Sequence, residues 1–385
     1  MQRAGHSLAA ALTACVVVAP LATSCVRPPT PSHQGAVPHG VSSSFAHAST
    51  QAGSVPTATY VAQFDTLWAR FEAVYPSFAY KHVDWRAQRA KYRPRAERAR
   101  SQNELVAVLL AMLAPLRDLH IWLVDPRGHV VPSYKPGTLA NFDSRRWTQA
   151  MHDANYIARA PQVGDGYVGG YAYLNIGTWK PPVNEVLLED MLQRARDAQG
   201  LIIDVRTNAG GSDAVALAFA GRFTRRSIVG SYVRINTDVP DVEMPLARTI
   251  APRGGWQFTR PVVVISGRGG FSATETFVAA MRTLPQVTVI GDTTGGASGN
   301  PATYALGNGW QFTVPRWFEY GPDKQPIEWR GVAPHIAIAW EPARYDSARD
   351  PLIDAAVGLL GERTGVYRMA PAATPVEPVG KVREE

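Results

Sequence analysis

Three short apolar runs in the second half of the chain constrain its fold more than any other feature. They occupy 201–205, 262–265 and 287–290, and helical patterns at 213–223 and 272–283 separate them. A run of this length dominated by Val, Ile and Leu reads as a strand buried on both faces. Strands alternating with helices build βαβ units and a largely parallel sheet. A strand at 171–176 with a helix at 183–198 extends the pattern upstream. Strands near 310–314 and 336–340, then a helix at about 350–360, extend it downstream. The predicted class is α/β.

The N-terminal half reads differently. Val61, Phe64, Leu67, Trp68, Phe71, Val74 and Tyr75 recur at helical spacing, and Pro76 ends the run. A second helix covers an Arg-rich stretch, and a third runs from Ser101, with Glu104 as its capping-box partner, to Leu113. A short strand follows at 120–124, and 132–165 shows no regular period. The expected organisation is a helical module at 57–118, a core at 119–365 and a disordered tail at 366–385.

Ahead of these lies an export signal. Arg3 precedes an apolar run at 8–22 that is too short for a confident membrane span. Cys25 follows Leu21-Ala22-Thr23-Ser24, the small-residue setting of a lipoprotein cleavage site. The expected signal is 1–25, with Cys25 lipidated, and 26–56 is a Pro/Ser/Gly-rich tether. The chain is then expected in the periplasm or cell envelope, with membrane anchoring through Cys25; a plain secretory signal is the alternative. Only Cys15 and Cys25 are present, so no structural disulfide is expected. The net charge of +7 owes much to Arg86, Arg89, Lys91, Arg93, Arg95, Arg98 and Arg100. No aromatic stacking pattern accompanies them and Pro94 interrupts the stretch, so they read as a solvated helix face rather than a nucleic-acid surface.

Two turns carry candidate chemistry. Gly267-Arg268-Gly269-Gly270-Phe271-Ser272-Ala273-Thr274-Glu275 leaves an apolar strand and opens a helix. Open α/β sheets place their sites at such strand ends, and a helix N-terminus offers free N–H groups to a developing oxyanion. Ser272 and Glu275 equally fit a simple capping box. Asp204-Val205-Arg206-Thr207-Asn208-Ala209-Gly210-Gly211-Ser212 is similar, and its paired glycines permit close backbone approach. A serine nucleophile needs a base. Of nine histidines, His120 stands out at the start of a strand, although a lone histidine is more often structural. No paired His or Cys spacing points to a metal.

Taken in order, "LRDLHIWL", "LIIDVRTNAGGSD", "PVVVISGRGGFSATETF", "VTVIGDTTGGASGNP" and "PIEWRGVAPHIAI" resemble the tail-specific (C-terminal processing) serine peptidase family over residues 57–362. The resemblance implies a ClpP/crotonase-like core, a peptide or unfolded-protein substrate, and no cofactor. The segment between Asp125 and Tyr171 is too short for the PDZ domain many members carry. The lysine of Ser–Lys members falls in register with Ala297, and no lysine lies between Ser272 and Lys324. The chain is thus more similar to the tricorn-core branch. That branch implies Ser272 as nucleophile, His120 as base, Glu328 as its orienter, and Gly210 or Gly211 with Ala273 as oxyanion donors. Asn208 and Asp118 are expected in support, with His335 and Lys324 as fallback bases. Trp317, Tyr320 and Trp329 are read as aromatic packing rather than a peptide groove. The interphotoreceptor retinoid-binding proteins, similar in sequence, keep open a carrier of apolar ligands.

Overall fold

A computed structural model describes residues 59–137, 141–235, 245–340 and 349–365. Cys25, the signal, the tether and the tail at 366–385 lie outside the described residues. All the described residues fall within one compact unit, Pro56–Glu385.

The chain opens with α1 (Tyr60–Val74), α2 (Trp85–Glu97) and α3 (Gln102–Leu113). Thr59, Asp84 and Ser101 cap them, each side chain accepting an N–H of the first turn. The capping box of α3 is shifted by one residue, since Glu104 accepts from Arg100 N at 2.9 Å. Pro94 does not end α2, which continues to Glu97 with Tyr92 and Ala96 buried. Part of the basic face is paired: Asp65 holds Arg89 and Arg93, and Glu72 holds Arg86.

These helices share a core with β1 (Trp122–Val124), β11 (Ala302–Gly307) and β12 (Trp310–Val314). Phe64, Leu67, Phe71, Leu105 and Leu109 are buried with Leu123, Leu306, Phe312 and Val314. β2 (Val130–Pro132) completes a small sheet of order β11-β12-β1-β2.

The stretch 132–165 is more regular than its sequence predicts. It carries α4 (Ser144–Asp153), β3 (Ile157–Ala160) and much of β4 (Val163–Val168). The apolar stripe of α4 is short, Trp147, Ala150 and Met151 packing on the α8 side of the sheet, and seven polar residues surround it. After β5 (Tyr171–Ile176) come α5 (Glu185–Arg194), β6 (Leu201–Asp204), α6 (Asp213–Ala220), β7 (Ile228–Ile235), β8 (Leu246–Ile250), β9 (Val262–Ser266), α7 (Ala273–Met281) and β10 (Val287–Gly291). β13 (Trp317–Tyr320), β14 (Ile336–Ala337) and α8 (Pro351–Thr364) finish the described fold. The strand expected at 336–340 thus holds for only two residues.

The main sheet has the order β14-β10-β9-β6-β5-β4-β3. It is parallel from β14 to β5, and β4 and β3 run antiparallel at one edge. The central strands are in step, Ile203 facing Val264 and Val264 facing Val289. Alternate residues supply opposite layers, as the two-residue strand period requires. Ile203, Val262, Val264 and Val289 pack on α5, α6 and α7. Ile202, Val263, Ile265 and Ile290 pack with Leu352, Ile353 and Leu360 of α8. This layering buries the strands and leaves their C-terminal ends, where the two glycine-bearing turns lie, available for chemistry.

Candidate active site at the start of the seventh helix

Ser272 sits where β9 gives way to α7, with φ 56° and ψ −125°. A side-chain-bearing residue occupies that region only when its surroundings hold it there. They do so here. Ser272 N donates to Ala297 O at 2.9 Å and to Glu275 Oε2 at 3.2 Å. Both partners of the predicted capping box are in place, but Glu275 N donates to the Ser272 carbonyl at 2.8 Å, and the hydroxyl makes no cap bond of normal geometry. Ser272 is half-buried, whereas every residue from Ala273 to Met281 is buried.

The glycine turn after β6 packs directly on this serine. Asn208 braces it, its Nδ2 donating to Ile176 O and its Oδ1 accepting from Gly210 N, both at 2.8 Å. The Asn208 carbonyl accepts from Phe271 N at 3.1 Å and Thr274 Oγ1 at 2.9 Å, which ties the two turns together. Gly210 has φ +95°, and a Cβ there would lie 2.8 Å from Ser272 Cβ. At Gly211, φ +143°, a Cβ would lie 2.5 Å from the backbone of Trp179. Gly210 N–H is engaged by Asn208, whereas the N–H groups of Gly211 and Ala273 have no acceptor among the described residues.

Behind the glycine turn, Arg206 is fully buried. It pairs with Asp204 at 2.7 Å and with Asp350, the N-cap of α8, at 3.0 Å.

Residues 294–298 face the serine from the other side. Glu275 accepts from Thr294 Oγ1 at 2.6 Å, Gly296 N at 2.8 Å and Ala297 N at 2.8 Å, besides Ser272 N. Glu319 accepts from Ser298 Oγ and Thr276 Oγ1, and Glu328 Oε2 accepts from Ser298 N at 3.2 Å. Three buried carboxylates therefore hold one loop. Ala297 occupies the register of the missing lysine and serves through its backbone instead. Ser272 and Glu328 reach adjoining residues of this loop, Ala297 and Ser298.

His120 is buried just before β1. Its N–H donates to Asp118 Oδ1 at 2.8 Å and its carbonyl accepts from Thr313 Oγ1 at 2.8 Å. Its ring Nδ1 has no hydrogen-bond partner and lies 4.0 Å from Asp118 Oδ1. Burial lowers its pKa below the usual histidine value and the Lys81 charge adds to this, against the opposing pull of Asp118.

The Glu328 side chain is not hydrogen-bonded to that Nδ1. Its Oε1 accepts instead from Lys81 Nζ at 2.6 Å, and Lys81 also binds Asp118 Oδ2 at 3.0 Å. Tyr75 OH donates to the same Asp118 oxygen at 2.8 Å. Burial first, then the Asp118 charge, pushes Glu328 up to about 8, opposed by Lys81 and Ser298 N–H. Lys81 escapes a sequence reading, because it lies in the connection between two helices and its partner is 247 positions away.

The remaining candidates stand elsewhere. His335 Nδ1 accepts from Val289 N at 3.0 Å, a structural tie to β10. Lys324 is exposed over the Tyr232 ring. Trp317 stacks under Arg248 and Tyr320 packs on Phe318, while Trp329, at φ 64°, is exposed and caps Lys81 at 5.3 Å. Among the described residues no group of three or more His, Cys, Asp or Glu side chains is arranged to hold a metal.

A mixed α/β core with a strained serine at a strand-to-helix turn defines the class, and comparison with known proteins gives the family. Residues 170–338 match the model of peptidase family S41, and residues 56–114 match the tricorn protease C1 domain. A crystal structure from Parabacteroides merdae, of a protein classed as a peptidase, is similar at 31% identity and TM-score 0.69, covering 77% of this chain and 95% of that one. Mature CPAF is similar in fold alone, at 12% identity and TM-score 0.61, over 81% of this chain and 98% of that one. Tricorn protease homolog 1 of Streptomyces coelicolor is 30% identical over 216 residues, which is 54% of this chain and 18% of that protein. The chain spans less than a fifth of the curated relatives it matches, 14% and 18%. The chain belongs to peptidase family S41.

Proposed function

We propose that this protein is a serine endopeptidase of the cell envelope that cleaves peptides or unfolded protein tails, with Ser272 as nucleophile and His120 as general base. The observation that carries the reading is Ser272 itself. It is held in a strained conformation against Gly210, with two unpartnered N–H groups, Gly211 and Ala273, on the turns beside it.

In this reading Ser272 Oγ attacks the scissile carbonyl carbon while His120 takes its proton. The carbonyl oxygen, now an anion, is stabilised by the N–H groups of Gly211 and Ala273. The tetrahedral intermediate collapses as His120 passes the proton to the leaving amine, and water then repeats the sequence on the acyl-enzyme. Burial suits His120 to the first step, since it favours the neutral imidazole. The imidazolium that forms is stabilised by Asp118, whose Oδ1 lies 4.0 Å from the ring Nδ1, and by the charge of Glu319, while Glu328 acts on the site through Lys81.

Hydrolysis of unfolded casein by the mature protein tests the proposal. Ser272→Ala and His120→Ala are each expected to lose about 10³-fold or more in kcat while remaining folded. A Ser272→Ala variant that cleaves at the wild-type rate would overturn it. A lipidated Cys25 is part of the same picture, and failure to incorporate a palmitate analogue in cells would remove it.

A further inference from the structure

We propose that Lys81 is the positioning residue of this site: its ammonium donates at once to Asp118 and Glu328, fixing Asp118 beside His120 and Glu328 against the 294–298 loop. The inference rests on the reading of Ser272, His120 and Glu328 just given.

Lys81 lies between α1 and α2, and its side chain is 0% exposed. A lysine is almost never fully buried unless paired. It binds Glu328 at 2.6 Å and Asp118 at 3.0 Å, between the rings of Tyr75 and Trp329 at 5.6 Å and 5.3 Å. The preceding residue grips the same target, Tyr80 OH donating to Glu328 O at 3.0 Å. Two successive residues of the helical segment thus hold Glu328 by its carboxylate and its carbonyl.

The pairing separates function from mere support. A lysine tying this turn to the core needs one carboxylate, and Asp118 supplies it. The second bond goes to a group that burial and the Asp118 charge push up to about 8, so Lys81 also sets where Glu328 gains and loses its proton. Without Lys81, Asp118 and Glu328 would face each other and Glu328 would hold its proton to higher pH. The titratable groups facing Glu328 are Tyr75, Tyr80 and Lys81 from the helical segment, Asp118 ahead of β1, and Glu275 of α7. Those facing His120 are Asp118, Lys81 and, from β13, Glu319.

The test compares wild type with Lys81→Met, Lys81→Arg and Asp118→Asn, measuring kcat and KM from about pH 5 to about pH 10. In parallel, Glu328 is titrated by carbon-13 NMR of labelled glutamate, assigned by its loss in Glu328→Gln. Wild-type kcat is expected to rise through a limb near pH 8. Lys81→Met is expected to move the limb and the Glu328 titration up by about one unit or more. That corresponds to about tenfold lower kcat at neutral pH, with KM within about threefold. Lys81→Arg restores the limb, and Asp118→Asn lowers it. A folded Lys81→Met with an unmoved Glu328 titration overturns the inference. If Lys81→Met does not fold, an Asp118→Asn titration that stays or rises does the same. The NMR titration needs no activity, so an enzyme that fails to cleave or label at Ser272 indicts the catalytic reading and not the role of Lys81.

Discussion

At Ser272 the local sequence and the tertiary structure ask for different things. Ser-x-x-Glu is an ordinary helix start, yet the backbone is turned to φ 56° and the capping duty passes to the Ser272 carbonyl and the Glu275 carboxylate. Ala297 and Glu275 hold it there, and Gly210 leaves the room. Gly210→Ala would place a methyl 2.8 Å from Ser272 Cβ and 2.9 Å from Phe271 O, at a φ of +95°. We expect that variant to lose about 1–3 kcal/mol in denaturant unfolding and most of its activity. Wild-type unfolding and turnover would contradict the packing described for the turn. Ser272, Gly210 and Gly211 were legible in the sequence, because they are short backbone motifs at strand ends. Lys81 was not, because its meaning depends on carboxylates at Asp118 and Glu328 that only the fold brings to it.

The element that organises the site is the loop at 294–298, held by Glu275, Glu319 and Glu328. Each oxygen of Glu275 faces two donors. Glu275→Gln would turn an NH₂ toward one donor pair, and about 2–3 kcal/mol of stability should be lost on chemical denaturation. An unchanged midpoint would show that the loop does not depend on that carboxylate. Burial pushes Glu275 and Glu328 up to about 8 from the ordinary 4.5. With folded-state values raised, their contribution favours the fold below about pH 4.5 and is withdrawn as pH climbs through about 8. Stability measured across that range should fall for the wild type and fall less for Glu275→Gln. At this scale the sequence revealed the parallel strands, whose Val and Ile runs have no other explanation. It concealed β3 and β4, half-exposed strands at the edge of the sheet, and α4, whose stripe of Trp147, Ala150 and Met151 spans little more than one turn.

At the scale of the whole molecule, the helices of the first half share a core with the strands of the second and supply the cation beside Glu328. Phe71 stacks on Phe312, and Leu105 and Leu109 are buried in the same cluster as Val314. A fragment of residues 119–365 alone would expose that cluster, so it should lack a cooperative thermal transition. A sharp transition in the fragment would show that the helices are a separable attachment. The central claim, that one serine on this frame is the nucleophile, is tested most directly by intact-mass analysis after treatment with a fluorophosphonate. The account predicts a single adduct per chain, on the peptide containing Ser272, formed at a sharply reduced rate in His120→Ala and absent in Ser272→Ala. A chain that stays unlabelled, or an adduct that persists in Ser272→Ala, would contradict it.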